Sequence, residues 1–359
     1  YFLVMAGGGS PANNEIALEK NVLYFQRTLR EMGFNPTTAS LFFASGNRPE
    51  ATVRYLDEEG RERFKVPDIP NLTGAATPEN WQGWLQETLL QESHRPQFLY
   101  FTGHGVPDEF ILWGNGELTV RQLAQSAAQF PQSTPVVVMM AQCFSGSFAD
   151  FIYQEGDPRQ PVALQSRCGF FATVRSRPSV GCTPEVDESD YKDYSSSFFA
   201  GLSGRSRIGE PVSSADYNQD GEISYREAHA FTKVDMETMD WPVSTVEVWM
   251  QEQTPRWEKR EILRQPIKEW VTNARPEQQY VIRAIAKRYN FNLQQSYERN
   301  YRRVSPQKQE DEVESAFLQR LAMELVNVAK EAEIRNSGDE TAIAILDRLL
   351  HCENKTWQK

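Results

Sequence analysis

The chain has 359 residues, enough for one large domain with a smaller companion or for two domains. Its 40% hydrophobic share supports a substantial core, yet no window approaches the roughly 18 continuous apolar residues of a membrane span. A net charge of −11 without a basic cluster argues against nucleic acid and anionic membranes as main partners.

The first 250 residues or so alternate strand-like and helix-like segments. "YFLVMAG" reads as a buried strand that is already under way at the first residue, so a leader has been removed or the start is missing. "GGSPANN" is a turn, and "EIALEKNVLYFQRTLREMG" places apolar residues at helical spacing with Gly33 as its stop. "TASLFFAS" is strand-like. Residues 45–78 form a long excursion that holds a hairpin around Glu59-Gly60 in "ATVRYLDEEGRERFKV". "PENWQGWLQETLLQES" and "TVRQLAQSAAQF" read as helices, "QFLYFTGHG", "PVVVMMAQ" and "RCGFFATV" as strands, and "STVEVWMQ" as the last strand. Apolar strands bounded by helices predict an α/β fold with a mostly parallel sheet covered on both faces.

From about residue 255 strand signals vanish, and residues 256–359 read as a helical C-terminal region. There Val313, Phe317, Leu321, Leu325 and Val328 form one apolar stripe, and Ser337 with Glu340 resembles a capping box.

In such sheets the functional site lies at the carboxyl ends of the strands. Two chemically capable residues fall there: His104 after "FLYFTG" and Cys143 after "VVVMMAQ", 39 residues apart, one strand–helix–strand unit. Both are thus expected at one edge of the sheet, on neighbouring strands. A thiolate is the nucleophile, the leaving amine needs a proton, and a histidine manages both near neutral pH. The backbone N–H groups of Gly105 and Cys143 are candidate donors to the developing oxyanion. Small residues after the cysteine, in "CFSGSF", would let a substrate backbone come close.

"FLYFTGHG" followed by "VVVMMAQCFSGSF" resembles the caspase–legumain clan of cysteine peptidases, most closely its legumain-like branch, over roughly residues 1–250. The resemblance implies a caspase-like sheet, a Cys143–His104 dyad, and a peptide or protein as substrate. It also implies that "SRPSVGCTPEVDESDYKDYSSSFF" forms the substrate edge, with Val180, Gly181 and Cys182 lining an extended peptide and Asp193 at an acidic S1 position. Asn13 or Asn14 falls near an asparagine that orients the histidine in legumains. Two residues before the nucleophile, where that clan usually carries Glu, Asp or Gln, this chain has Ala141, with Gln142 next to the cysteine. Asp193 then favours Arg or Lys at P1. Asn stays open, and an Asp preference would need a buried cation, Arg175 or Arg177. In the same resemblance the C-terminal helices would cover the cleft as an inhibitory segment.

"DYNQDGEISYRE", residues 216–227, matches the twelve-residue EF-hand loop. Asp216, Asn218 and Asp220 hold positions 1, 3 and 5, Gly221 the turn, Glu222 a backbone carbonyl, Ser224 position 9 and Glu227 the bidentate position 12. Without a helix before it, the loop reads as a structural Ca2+ site rather than one of a paired sensor. This loop and the chain's start lean towards a periplasmic or secreted location, with the cytoplasm as the alternative.

The four cysteines, Cys143, Cys168, Cys182 and Cys352, lack CxxC spacing, so a zinc or thioredoxin-type site is not expected. Cys168 and Cys182 could form a disulfide or stay free thiols. His229 reads as packing, and His94, His351 and Cys352 have no evident partner. Gly7-Gly8-Gly9 is not GxGxxG and reads as a turn. "GLSGR" is not a serine-hydrolase elbow. The rival readings are a non-catalytic peptide-binding pseudo-peptidase and, behind it, a nucleotide-binding α/β enzyme.

Overall fold

The structure, a computed structural model, describes residues 1–91, 95–308 and 311–357; His94 lies outside them. Strand β1 (Phe2–Gly7) leads through a 3-10 turn into α1 (Ile16–Glu31) and β2 (Ala39–Phe43). The expected hairpin follows as β3 (Val53–Leu56) and β4 (Glu62–Lys65), then α2 (Pro78–Leu90) and β5 (Gln97–Gly103). A meander of β6 (Gly105–Val106), β7 (Glu109–Leu112) and β8 (Gly116–Thr119) precedes α3 (Val120–Gln129), β9 (Val136–Met140) and β10 (Arg167–Phe171). Next come α4 (Tyr194–Ser203), α5 (Tyr225–Asp235), β11 (Val243–Ser244) and α6 (Thr245–Glu252). The chain closes with α7 (Arg256–Arg264), α8 (Ile267–Asn273), α9 (Pro276–Arg288), α10 (Tyr297–Lys308), α11 (Glu312–Asn336) and α12 (Glu340–Glu353).

The main sheet has the order β11-β10-β9-β5-β1-β2, with every neighbouring pair parallel except β10–β11. Its central strands are apolar on both sides because both faces are covered: Leu3, Val4, Met5 and Ala6 are all fully buried. On one face Val4, Tyr100 and Met139 meet Phe25 of α1, Phe198 and Phe199 of α4 and Tyr225 of α5. On the other, Leu3, Phe101 and Val138 meet Trp81 and Trp84 of α2, Leu123 of α3 and Trp249 of α6. The chain leaves β1 towards β2 on one side and later towards β5, β9 and β10 on the other. The sheet therefore has a topological switch point between β1 and β5, the place beyond the carboxyl ends of the strands where sheets of this kind bind ligands.

Three local expectations give way. "STVEVWMQ" is not a strand beyond Val243–Ser244: Ser244 caps Glu247 reciprocally and starts α6, overriding the β-branched composition. Helix α12 is capped by Asp339, which accepts from the Thr341 and Ala342 N–H groups, rather than by Ser337. Cys168 is bonded to Cys352, not to Cys182, because Cys168 points from β10 into the face covered by α12, while Cys182 lies beyond the strand ends. The apolar stripe of α11 packs as anticipated, with Phe317, Leu321, Leu325 and Val328 facing α8 and α9.

Residues 256–357 are helical, but they are not peripheral throughout. Leu346, Leu349 and Leu350 of α12 belong to one sheet core and Cys352 and Trp357 to the other. Trp357 meets Phe2, Phe25, Phe34 and Phe98 edge-on. Glu353 is fully buried, accepts from the Val246 N–H at 2.8 Å and the Thr245 hydroxyl at 2.7 Å, and has its pKa pushed up to about 7 by burial. His229 is indeed packing: it is buried between the Tyr194 hydroxyl at 2.7 Å and Glu247 at 3.2 Å. No helix among the described residues is long and apolar enough to cross a membrane.

The disulfide spans 184 residues of sequence, so it restrains a long loop of the unfolded chain. Cys352→Ser is expected to lower unfolding free energy by about 2–4 kcal/mol, read as a lower denaturant midpoint under non-reducing conditions.

Candidate active site

The site is built where β1, β5 and β9 end. The β5–β9 register pairs Phe101 with Met140, an offset of 39 residues that carries on to His104 and Cys143. His104 follows β5 directly and Cys143 lies three residues beyond the end of β9, so both fall in the turns that leave these adjacent strands. The contact between the strand ends is made at Gly105: a Cβ there would come within 2.6 Å of Gln142 Cγ and 2.9 Å of the Cys143 carbonyl oxygen. Only glycine lets the histidine turn approach the cysteine turn this closely.

Cys143 is half-buried, not sealed in the core. Its sulfur accepts from the Ser179 N–H at 3.2 Å and donates to the Ser179 carbonyl at 3.4 Å. Among the described residues no hydrogen bond joins His104 and Cys143, and the Cys143 N–H has no protein acceptor. That N–H is therefore a free donor beside the sulfur, as an oxyanion site requires. Phe144 follows in the left-handed region at φ 57°, which turns the chain sharply away from the strand.

The small residues after the cysteine serve the scaffold rather than an incoming backbone. Ser145, Gly146 and Ser147 are buried. A Cβ on Gly146 would meet the Thr173 carbonyl oxygen at 2.7 Å, so glycine lets the turn lie against the end of β10. The Ser145 hydroxyl accepts from the Thr173 N–H at 3.3 Å, and the Ser147 hydroxyl accepts from the Asp108 N–H at 3.0 Å. Residues 145–147 thereby tie the nucleophile turn to β10 on one side and to the meander after His104 on the other.

His104 has a carboxylate partner that the sequence pattern did not reveal. Its Nε2 lies 2.9 Å from Glu15, whose other oxygen accepts from Arg54 at 2.7 Å. Burial pushes the Glu15 carboxyl upward, but the hydrogen bonds from His104 and Arg54 outweigh it and leave the pKa below the ordinary value. Asn14 instead takes the Gly8 N–H at 3.1 Å and donates to the Thr52 carbonyl at 3.0 Å, closing the turn after β1. Asn13 sits in the preceding 3-10 turn, so neither asparagine reaches the histidine.

The segment after β10 runs past both side chains. Val180 N–H donates to Asp240 at 3.2 Å and the Ser179 hydroxyl donates to it at 2.8 Å. Burial pushes Asp240 up to about 7 against the opposing pull of Ser179, Arg320 and Val180. Val180 is exposed and Gly181 half-buried at φ 132°, a conformation in which glycine is at home. Cys182 turns its thiol towards the Gly103 carbonyl, 3.6 Å away, and burial, then the charges of Glu15 and Cys143, keep its pKa well above the ordinary value.

Asp193 lies under Gly181, and it is neither free nor unpaired. It caps α4 through the Ser196 N–H at 3.2 Å and takes Arg207 at 3.2 Å and Asn21 at 3.2 Å. Arg207 is buried beside it and lies over the Tyr24 and Tyr191 rings, each 4.9 Å from the ring centre. An open pocket of about 460 Å³ runs from Val180 and Gly181 past Asp193 to Glu237 and Glu312. Arg175 is paired with Asp150 at 2.9 Å and Glu252 at 2.8 Å, and Arg177 lies over the Trp241 ring at 4.3 Å. Neither supplies a cation to this pocket. Gln142 is buried and its amide oxygen finds no partner.

The 216–227 loop has half of an ion cradle in place. Gly221 takes φ 88° at the turn, and the Asp216 carboxylate accepts from the Asp220 and Gly221 N–H groups, both at 3.1 Å. Asn218 donates to the Asp220 carboxylate at 2.9 Å, and Glu222 leaves its carbonyl on the exposed rim. Glu227 is buried and closes the loop by accepting from Tyr217, Asn218 and Ser224 N–H groups at 2.9–3.2 Å. An all-oxygen set around a glycine turn fits a hard cation, provided the Glu227 carboxylate leaves some of these donors.

Both free thiols are half-buried, but burial of the Cys182 sulfur and the charges of Glu15 and Cys143 disfavour its thiolate. Under limiting iodoacetamide at pH 7.5, Cys143 is expected to carry label before Cys182, as read by peptide mass mapping; the reverse order would contradict the burial and charge around Cys182.

Comparison with known proteins adds no relative to this picture: no family model matches the chain, and no curated protein does.

Proposed function

We propose that this protein is a cysteine endopeptidase of the caspase–legumain-like type, working through Cys143 and His104. The observation that supports the reading is the close approach of the turns that follow β5 and β9, where a Cβ on Gly105, next to His104, would meet Gln142 Cγ at 2.6 Å and the Cys143 carbonyl oxygen at 2.9 Å. Cys143 attacks the scissile carbonyl, the N–H groups of Cys143 and Gly105 hold the oxyanion, and His104 protonates the leaving amine. His104 then activates the water that releases the acyl-enzyme. Glu15 positions the ring and stabilises the imidazolium form, a carboxylate in the role that an asparagine was expected to fill. Peptide main chain pairs along Val180–Cys182. The side chain it offers to the adjoining pocket is basic, because three exposed carboxylates, Glu185, Asp190 and Glu312, line it beside a fourth, Glu237, that Lys192 and Arg288 pair with at 3.4 Å.

A second reading has one observation in its favour. The Cys143 sulfur is occupied by the Ser179 backbone rather than joined to His104. A pseudo-peptidase that only holds peptide would tolerate that arrangement permanently, whereas a peptidase must release it, and catalytic hydrogen bonds often tighten only once substrate is bound. An electrophilic peptide probe with Arg at P1 is expected to label wild type at Cys143 and to leave Cys143→Ala and His104→Ala unlabelled or slowed by roughly 100-fold or more. A wild type that stays unlabelled while binding the parent peptide would establish the non-catalytic reading instead.

The loop of Asp216, Asn218, Asp220, Glu222 and Glu227 is proposed to hold Ca2+, which would bring the Glu227 carboxylate onto the ion and stiffen the connection from α4 to α5. Calorimetric titration is expected to find one Ca2+ per chain with a rise in Tm, and Asp216→Ala to weaken it by about tenfold or more. No heat and no Tm change in the wild type would remove calcium from the account. The Cys168–Cys352 bond supports an oxidising compartment, periplasmic or secreted, as the place of action.

A further inference from the structure

We propose that Glu15, His104 and Cys182 form a binding site for Zn2+, or a divalent ion of similar softness, that takes His104 out of chemistry when filled. A carboxylate oxygen, a ring nitrogen and the thiol sulfur of these residues lie within 4.8 Å of one another. They come from three separate segments: the exit of β1, the end of β5 and the chain after β10. Zn2+ bonds of about 2.0–2.3 Å place tetrahedral donors roughly 3.2–3.8 Å apart, so the three side chains need to close by about 1 Å. The Glu15–His104 pair is already at 2.9 Å.

The donor set decides which ion. Oxygen, imidazole and thiolate together suit a borderline-soft metal and not Ca2+ or Mg2+, which take oxygen ligands. This separates the site from the all-oxygen loop at 216–227. Arg54 fixes the second Glu15 oxygen at 2.7 Å, the outer hydrogen bond that orients a metal ligand. Cys182 is not in a disulfide, and among the described residues its sulfur has only the Gly103 carbonyl, at 3.6 Å, as a hydrogen-bond partner. Three protein ligands leave a fourth position for water, the usual form of an accessible zinc site. Loss of peptidase activity on filling rests on the proposed role of His104; the binding itself does not.

The test uses the full chain stripped with a chelator. Competition against a chromophoric chelator reads Zn2+ affinity, and Co2+ reads the ligand set through its thiolate charge-transfer band. One equivalent is expected. Cys182→Ser should lose the cobalt band and about 100-fold in Zn2+ affinity, Glu15→Gln about tenfold, and Cys143→Ala neither. A band that survives in Cys182→Ser, a band lost in Cys143→Ala, or a folded wild type that binds no Zn2+ would each overturn the site. Should Cys182→Ser fail to fold, Glu15→Gln decides: unchanged affinity there refutes the proposal. Labelling of Cys143 by the peptide probe, run alongside, keeps the two questions apart. A labelled protein without Zn2+ sinks only the metal site, and a Zn2+-binding protein that never labels sinks only the peptidase reading.

Discussion

The register of β5 against β9 is the constraint on which the site depends. Parallel strands alternate their side chains with a period of two, so a slip of one residue would shift the turns that carry His104 and Cys143 against one another and exchange the faces of the paired residues before them. The pairing is pinned from both sides by burial. Tyr100 and Met139 are opposite one another and belong to the α1–α4 face, while Phe101 and Met140 belong to the α2–α3 face. A slip of either strand would move its own pair, Tyr100 and Phe101 or Met139 and Met140, into the wrong cores at once. Beyond the last paired residues, the absence of a side chain at Gly105 lets the two turns keep that alignment as they leave the sheet.

The segment of Ser179 and Val180 is held from a distance by the C-terminal helices. Arg320 of α11 is fully buried, and its guanidinium donates to the carbonyls of Lys233, Met236, Thr238 and Asp240 at 2.7–3.1 Å. A buried cation facing four carbonyls is costly to leave unpartnered, so the 233–240 turn and α11 stay together. The same turn presents the Asp240 carboxyl to Ser179 and Val180, and Ser179 holds the Cys143 sulfur. A short chain of hydrogen bonds thus runs from α11 to the thiol. This arrangement does not resemble a detachable cover. Helix α12 and Trp357 complete the cores of the sheet itself, so removing residues 256–359 would strip the fold as well as the edge.

Legibility in the sequence followed the strength of local signals. The five long apolar runs were readable because a strand buried on both faces leaves no polar alternation, and their ends marked where His104 and Cys143 would fall. The meander of β6–β8 was not, since its strands of two to four residues are broken by Asp108, Gly114 and Asn115 in left-handed turns. The sequence pattern does not single out Glu15 from Asn13 and Asn14, because which of these three successive polar residues reaches His104 is set by the 3-10 turn and not by residue type. The Cys168–Cys352 bond and the Asp193–Arg207 pair have no local signature at all. Each joins segments whose adjacency exists only once helices have been placed on the sheet.

The Asp193–Arg207 pair also changes where the pocket's charge comes from. A lone buried carboxylate beneath Gly181 would act on a bound cation through a medium of low dielectric constant and with little screening. Paired with a guanidinium, and hydrogen-bonded to Asn21 and Ser196, Asp193 instead presents a nearly neutral floor. In the proposed function, attraction for a basic side chain would then fall to Glu185, Asp190 and Glu312 on the rim and to Glu237, which Lys192 and Arg288 already approach at 3.4 Å; all four are exposed and so lie within reach of bulk ions. Over a Debye length of about 8 Å at physiological ionic strength, such a rim would steer and concentrate a basic peptide, were that the substrate as proposed, more than it would fix one side chain. Selectivity of this origin weakens as salt is added and grades with total peptide charge. A buried S1 carboxylate would do neither, so the pairing of one arginine determines what kind of specificity this edge of the sheet can have.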